Sequence, residues 1–225
     1  MMNMINVQGV SKSFTLHMQD GMQLPVLDGL DLEVAAGECV ALTGPSGSGK
    51  STLMRMIYGN YLCSAGKIRL QHGGAAIDIV NTDPHQILEI RRLTLGYVSQ
   101  FLRVVPRVPT LDVVADPLVA AGSDRSTARE TARILLARLN LPERLWSLSP
   151  VTFSGGEQQR VNIARGFAYA FPVLLLDEPT ASLDADNRAA VLELIEEARH
   201  RGAAILGIFH DRDAREAVCT RSFDI

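Results

Sequence analysis

Cysteine is scarce in this chain, and its three copies, Cys39, Cys63 and Cys219, show no Cys-x-x-Cys spacing. Neither a disulfide framework nor a zinc site is indicated, a usage that suits a reducing cytosol. No charge of one sign dominates. Lys and Arg number 22 against 25 Asp and Glu, for a formal net charge of −3, so there is no global electrostatic case for binding DNA or RNA. Arg91, Arg92, Arg103 and Arg107 form a local basic cluster, readable as a solvated face or as a surface for a partner or anionic ligand. No apolar run approaches the roughly 20 residues of a membrane helix. The opening MMNMINVQGVSKSF lacks the charged-then-apolar layout of a signal peptide. Internal repeats and low-complexity tracts are also absent. These absences lead us to expect a soluble, cytoplasmic protein with no nucleic-acid partner and no direct membrane insertion, reaching a membrane only through a partner.

What is present is a core-forming composition, 47% apolar over 225 residues, enough for one large domain or two modest ones. Met4–Val10 and Leu30–Val34 read as strands joined by a long polar segment, Thr15–Gln23. Val40–Leu42 is a short buried strand. Lys67–Leu70 and Ala76–Val80 resemble a hairpin around His72-Gly73-Gly74, Pro84–Arg92 a short helix and Leu95–Ser99 a strand. From Pro106 to Pro117 the chain is punctuated by proline. Asp124–Leu139 follows as an amphipathic helix, with Ala128, Ala132, Leu135, Leu136 and Leu139 near helical spacing. A helix from Ser154 to Tyr169, an apolar strand Val173–Leu176, a helix Asp186–His200, a strand Ala203–Phe209 and a helix Asp213–Val218 complete the reading. Alternating strands and helices predict an α/β core, interrupted from about 101 to 165 by a helical insert.

The chemistry concentrates in three motifs. Gly44-Pro45-Ser46-Gly47-Ser48-Gly49-Lys50-Ser51-Thr52 is a complete Gly-x₄-Gly-Lys-Ser phosphate loop, between a strand and a helix. Glycines let backbone N–H groups wrap a phosphate chain, and the helix N-terminus adds partial positive charge. Lys50 can reach the β- and γ-phosphates, and the Ser51 hydroxyl can bind Mg²⁺. Val173–Leu176 ends in two carboxylates: Asp177 would hold Mg²⁺, directly or through water, and Glu178 would polarise an attacking water. Ser154-Gly155-Gly156-Glu157 puts a serine and two glycines at a second helix start, another anion site. Two such sites in one chain make sense if each ATP is gripped between the loop of one subunit and this segment of another.

The ordered set of GPSGSGKST, Gln100, FSGGEQQR, LLLDEP, Ala181-Ser182-Leu183-Asp184 and His210 resembles the ATP-binding-cassette (ABC) ATPases over nearly the whole chain. The resemblance implies a P-loop NTPase core of ABC type with an antiparallel β subdomain and an inserted helical subdomain. Residues 1–225 would then be one domain, with 1–100 and 166–225 as core and about 101–165 as the helical part. It implies a head-to-tail homodimer, or heterodimer with a similar cassette, closing on two ATP molecules. By resemblance, Gln100 senses Mg²⁺ and the water, and Ser154, Gly155 and Gly156 contact the other subunit's γ-phosphate. Asp184 signals across the interface, His210 contacts the γ-phosphate, and Phe14 of Ser11-Lys12-Ser13-Phe14 stacks on adenine. Glu157 stands where the family most often has Gln. Its carboxylate can still accept hydrogen bonds from ribose hydroxyls, although it adds negative charge. Phe153 replaces a common Leu. Neither departure removes a catalytic group, so an active ATPase is expected.

The segment from Arg91 to Val114 narrows the resemblance to the L component of the bacterial carbon–phosphorus lyase system, which processes phosphonates. That implies a soluble cassette partnered with the lyase core subunits. It would be associated with making ribose 1-methylphosphonate 5-triphosphate from ATP, though no residue here can be assigned to glycosyl transfer. The alternative is the ATPase subunit of a membrane transporter of the lipoprotein-release or macrolide-export type.

Overall fold

The computed structural model describes residues 2–16, 21–103 and 106–225. Its first half opens with two long antiparallel strands, β1 (Asn3–Leu16) and β2 (Met22–Ala35). They reach well past the expected pair, because the polar segment continues the hairpin: Thr15 pairs with Gln23 and Leu16 with Met22. Residues 17–20 of that segment lie outside the described residues. With β4 (Ala65–His72) and β5 (Ala75–Asp78) they form a four-stranded sheet in the order β2-β1-β4-β5.

The second sheet is parallel and five-stranded, ordered β6-β7-β8-β3-β9. Its strands are β3 (Cys39–Thr43), β6 (Leu95–Val98), β7 (Val173–Asp177), β8 (Ala204–Ile208) and β9 (Arg221–Asp224). All residues of β7 and β8 are buried, as a sheet covered on both faces requires. Alternation along these strands divides the core in two. Val40, Leu42, Val173, Leu175, Ala204 and Leu206 face the antiparallel sheet and the helices α1 (Lys50–Ile57) and α2 (Pro84–Leu93). Cys39, Ala41, Leu174, Leu176 and Ile205 face the other way. There they meet α3 (Thr110–Ala120), α4 (Arg125–Arg138), α5 (Gly155–Ala168) and α6 (Ala185–His200). The last helix is α7 (Arg212–Val218).

Helix α3 and strand β9 are absent from the sequence reading. Helix α3 runs through the proline-punctuated stretch and carries Pro117 inside it. Asp112 in its first turn receives a bidentate hydrogen bond from Arg129 of α4, at 2.7 and 2.9 Å. Strand β9 is only four residues long, and its polar Arg221-Ser222 start hides it from a hydropathy pattern.

Candidate nucleotide site

The parallel order explains how distant motifs meet. In open α/β sheets, ligands sit beyond the carboxyl ends of the strands. Here Gln100 follows β6, Asp177 ends β7 with Glu178 directly after it, His210 follows β8, and the phosphate loop follows β3. Those four strands are consecutive neighbours in the sheet.

The loop is shaped for an anion. Gly44, Gly47 and Gly49 all adopt positive φ, at 130°, 83° and 104°. A Cβ at Gly49 would also approach Leu27 Cδ2 to 2.7 Å, so this turn admits only glycine. Helix α1 has no side-chain cap and no acidic residue in its first turn. Among the described residues, the amides of Gly47, Gly49, Lys50, Ser51 and Thr52 have no intrachain acceptor. Five unpaired donors and an uncompensated helix N-terminus fit a phosphate chain. Lys50 Nζ donates to the Gly44 and Pro45 carbonyls at 2.9 and 2.7 Å, which holds the ammonium across the loop.

The two carboxylates are held differently. Asp177 is buried; its Oδ1 lies 3.5 Å from Ser51 Oγ, and its Oδ2 accepts from Tyr97 Oη at 3.1 Å. Burial pushes the Asp177 carboxyl above its usual range, against the Tyr97 hydrogen bond, which lowers it. A carboxylate beside a hydroxyl is a hard oxygen donor set of the kind Mg²⁺ takes when phosphates and waters complete its shell. Glu178 turns back with φ 55°, and its amide donates to the Ile208 carbonyl at 3.0 Å. Its side chain then lies between two partners. His210 Nε2 is 2.7 Å from Oε1, and Gln100 Nε2 donates to Oε2 at 3.3 Å.

Ser154 caps α5, and Glu157 completes a capping box: its Oε2 accepts from the Ser154 amide at 2.9 Å and from Ser154 Oγ at 2.7 Å. The capping box engages only one oxygen of Glu157, leaving Oε1 as an acceptor, and those hydrogen bonds hold its pKa below the usual range. Among the described residues, no hydrogen bond joins Ser154–Glu157 to Gly44–Thr52, so one chain does not bring its two anion sites together. Asp184 caps α6 through Asn187 N at 2.8 Å. Phe14 lies on β1, with its ring edge-on to Tyr61 at 5.6 Å between centroids.

Sequence reasoning missed Tyr97, Gln159 and Asn162. Gln159 Nε2 donates to the Glu178 carbonyl at 3.3 Å, and Asn162 Nδ2 to the Ser99 carbonyl at 2.5 Å, so α5 reaches both sides of the site. The available signal was polarity among mainly apolar neighbours: a hydroxyl on β6 beside β7, and two amides on the buried face of α5.

The sequence matches the family described as ABC transporter over residues 27–181. The chain belongs to the ABC transporter ATPase family. Similar proteins include the lipoprotein-releasing system ATP-binding protein LolD of Shewanella sp. (strain MR-4), 40% identical over 92% of this chain and 87% of that protein. The macrolide export ATP-binding/permease protein MacB of Marinobacter nauticus is 36% identical over 93% of this chain but only 31% of its own length. Among solved structures, the ATP-binding cassette MJ0796, dimeric in a post-hydrolysis state with ADP and Pi, superposes with a TM-score of 0.85. It is 28% identical and the match covers 96% of this chain and 91% of that one. The expected fold class is thus correct. The narrower phosphonate expectation finds no support in these relatives, whose names are those of transporter ATP-binding proteins. Part of the segment on which it rests, Val104 and Val105, lies outside the described residues. No helix among the described residues is long and apolar enough to cross a membrane.

Proposed function

We propose that this chain is the ATP-hydrolysing subunit of a membrane transporter of the lipoprotein-release or macrolide-export type, acting as a head-to-tail dimer. The observation that carries the proposal is the LolD likeness across 92% of the chain, supported by the clustering of the phosphate loop, Gln100, Asp177, Glu178 and His210 at the carboxyl ends of neighbouring strands. Gly44–Thr52 bind the phosphates, and Lys50 neutralises the β- and γ-oxygens once released from the loop carbonyls. Ser51 and Asp177, with Gln100, are the residues that would hold magnesium, whose charge offsets that building on the phosphates. Glu178 accepts the proton of the attacking water, and His210, donating through Nε2, keeps that carboxylate aimed. Ser154, Gly155 and Gly156 of a second copy close over the γ-phosphate, with Asp184 beside the seam, and Phe14 stacks on adenine. The helical part, about 101–165, moves against the core formed by 1–100 and 166–225.

A cleft of about 570 Å³ lies where those parts meet, lined by Arg91, Arg92, Arg103, Leu88 and Phe101 among others. Phe101 and Leu88 are 72% and 60% exposed there, which suits docking of a membrane subunit. Arg107 of the basic cluster is exposed and does not line the cleft. The test is affinity purification of the tagged chain from phosphate-starved cells, from both detergent extract and soluble fraction. Recovery of polytopic membrane proteins from the detergent extract is expected. Soluble phosphonate-lyase subunits in their place would restore the carbon–phosphorus lyase reading, in which the segment from Arg91 to Val114 carries the specificity.

A further inference from the structure

Two of the three cysteines come together at the edge of the parallel sheet. Cys39 opens β3, and Cys219 directly precedes the Thr220 link to β9. Their Sγ atoms are 3.6 Å apart, although 180 residues separate them in the chain. Both are free thiols. The surrounding backbone is firmly set. Thr220 N donates to the Cys39 carbonyl at 2.8 Å, Thr220 Oγ1 donates to the same carbonyl at 2.9 Å, and Val40 pairs with Arg221. The two differ in access: Cys39 is fully buried, while Cys219 is partly exposed. Cys219 follows α7, and its amide donates to the Arg215 carbonyl at 2.9 Å.

We propose that Cys39 and Cys219 form a peroxide-oxidisable dithiol, with Cys219 as the attacking thiol and Cys39 as the resolving one. Closing 3.6 Å to a disulfide takes about 1.5 Å of sulfur movement, within reach of side-chain rotation. In the first step the Cys219 thiolate attacks one peroxide oxygen and the O–O bond breaks. Hydroxide leaves and takes a proton to become water, and Cys219 becomes a sulfenic acid. In the second step the Cys39 sulfur attacks the Cys219 sulfur and the S–O bond breaks. The hydroxyl leaves with the Cys39 proton as a second water. Two thiols and one hydrogen peroxide thus give one disulfide and two waters. The pair's shared hydrogen bond favours this division, lowering the Cys219 pKa while raising that of buried Cys39, and Arg215 adds to the lowering at Cys219. The bond would clasp β9, a four-residue edge strand, onto the strand that feeds the phosphate loop.

The full chain, reduced and then treated with hydrogen peroxide near stoichiometry, should lose two of its three alkylatable thiols and about 2 Da of mass. Peptide mapping should show Cys39 joined to Cys219, with Cys63 still free. Amide exchange at Arg221–Asp224 should slow by about tenfold on oxidation. In Cys39→Ser, oxidation should stop at a Cys219 sulfenic acid trappable by a 1,3-diketone. Should that variant fail to fold, Cys219→Ser serves instead, and its Cys39 should stay reduced at the same dose. Three unmodified thiols in the wild type, sulfinic acid at Cys219 without a cross-link, a bond to Cys63, or oxidation of Cys39 in Cys219→Ser would each overturn the assignment.

Discussion

His210 Nε2 and Glu178 Oε1 stand 2.7 Å apart, joining the ends of two adjacent parallel strands. A carboxylate can only accept, so the imidazole donates through Nε2. Gln100 Nε2 donates to the other oxygen at 3.3 Å, so the carboxylate is fixed at both ends before any water arrives. The backbone contributes as well. Glu178 holds φ 55°, a conformation that costs a non-glycine residue about 1–3 kcal/mol at a functional position.

Glu178→Gln keeps the shape and removes the proton acceptor. ATP binding should persist while steady-state hydrolysis falls by about 10²–10⁴-fold. The unhydrolysed complex should then accumulate as a dimer in size-exclusion chromatography with ATP. Wild-type turnover in the purified variant would remove Glu178 from its assigned role.

His210→Ala separates aim from stability. The His210 side chain is 72% exposed, so the fold loses little, within about 0.5 kcal/mol for an ordinary surface change. Turnover should nonetheless drop at least tenfold at unchanged thermal midpoint. Equal losses of midpoint and turnover would indicate a structural histidine instead.

Asp177→Asn should trade function for stability. Burial raises the Asp177 pKa in the folded state, so between the ordinary value of 3.8 and the raised one the folded protein binds more protons than the unfolded. Stability at this site therefore falls as pH rises through that window, and above it the penalty for the buried charge is constant. At neutral pH the neutral amide escapes the penalty, and the nucleotide-free variant should melt higher than wild type. Below about pH 4, where the carboxyl is protonated, the difference should shrink. Magnesium-dependent hydrolysis should be lost. A lower melting temperature at neutral pH would show that the Tyr97 and Ser51 hydrogen bonds outweigh the buried charge.

The sequence makes the strand-end chemistry legible because each motif is local. Gly44–Thr52, Asp177-Glu178 and Ser154–Glu157 each combine special backbone and side chains within a few residues. Tyr97 escapes because its role depends on β6 lying beside β7, a pairing between residues about 80 apart. Helix α3 escapes because Pro109 and Pro117 suggest loop. Pro109 in fact occupies the N-cap, and Pro117 sits near the C-terminal end. Its missing N–H there costs one hydrogen bond, while Val113, Val114 and Ala115 are buried against the core. Glu157 carries a second local signal: Ser three residues earlier offers a capping box, which one oxygen of the carboxylate completes.

Ser154→Arg should block closure of two chains on ATP without abolishing binding to one. Ser154 starts α5 and makes no hydrogen bond to the phosphate loop of its own chain among the described residues. The lost cap costs about 1 kcal/mol. Glu157→Ala removes the reciprocal half of the capping box and adds no bulk, so it is the control for stability. Expected is ATP binding by both purified variants, with ATP-induced dimerisation lost only in Ser154→Arg. Loss of monomer binding in Ser154→Arg alone would place Ser154 at the nucleotide of its own chain.

Phe14→Ala tests the adenine end of the site. The Phe14 ring is half-buried, edge-on to Tyr61 at an interplanar angle of 83°, with the Lys12 ammonium 4.9 Å from its centroid. Lys12 Nζ also donates to the Leu62 carbonyl at 2.7 Å, so the ring is held by the segment that follows α1. Stacking of a base on such a ring contributes about 1–3 kcal/mol. Phe14→Ala should weaken ATP by that amount while leaving inorganic triphosphate, which has no base, bound as in the wild type. Phe14→Tyr should retain the preference. Parallel losses for ATP and triphosphate in Phe14→Ala would mean that the ring supports the β1 edge rather than contacting the base.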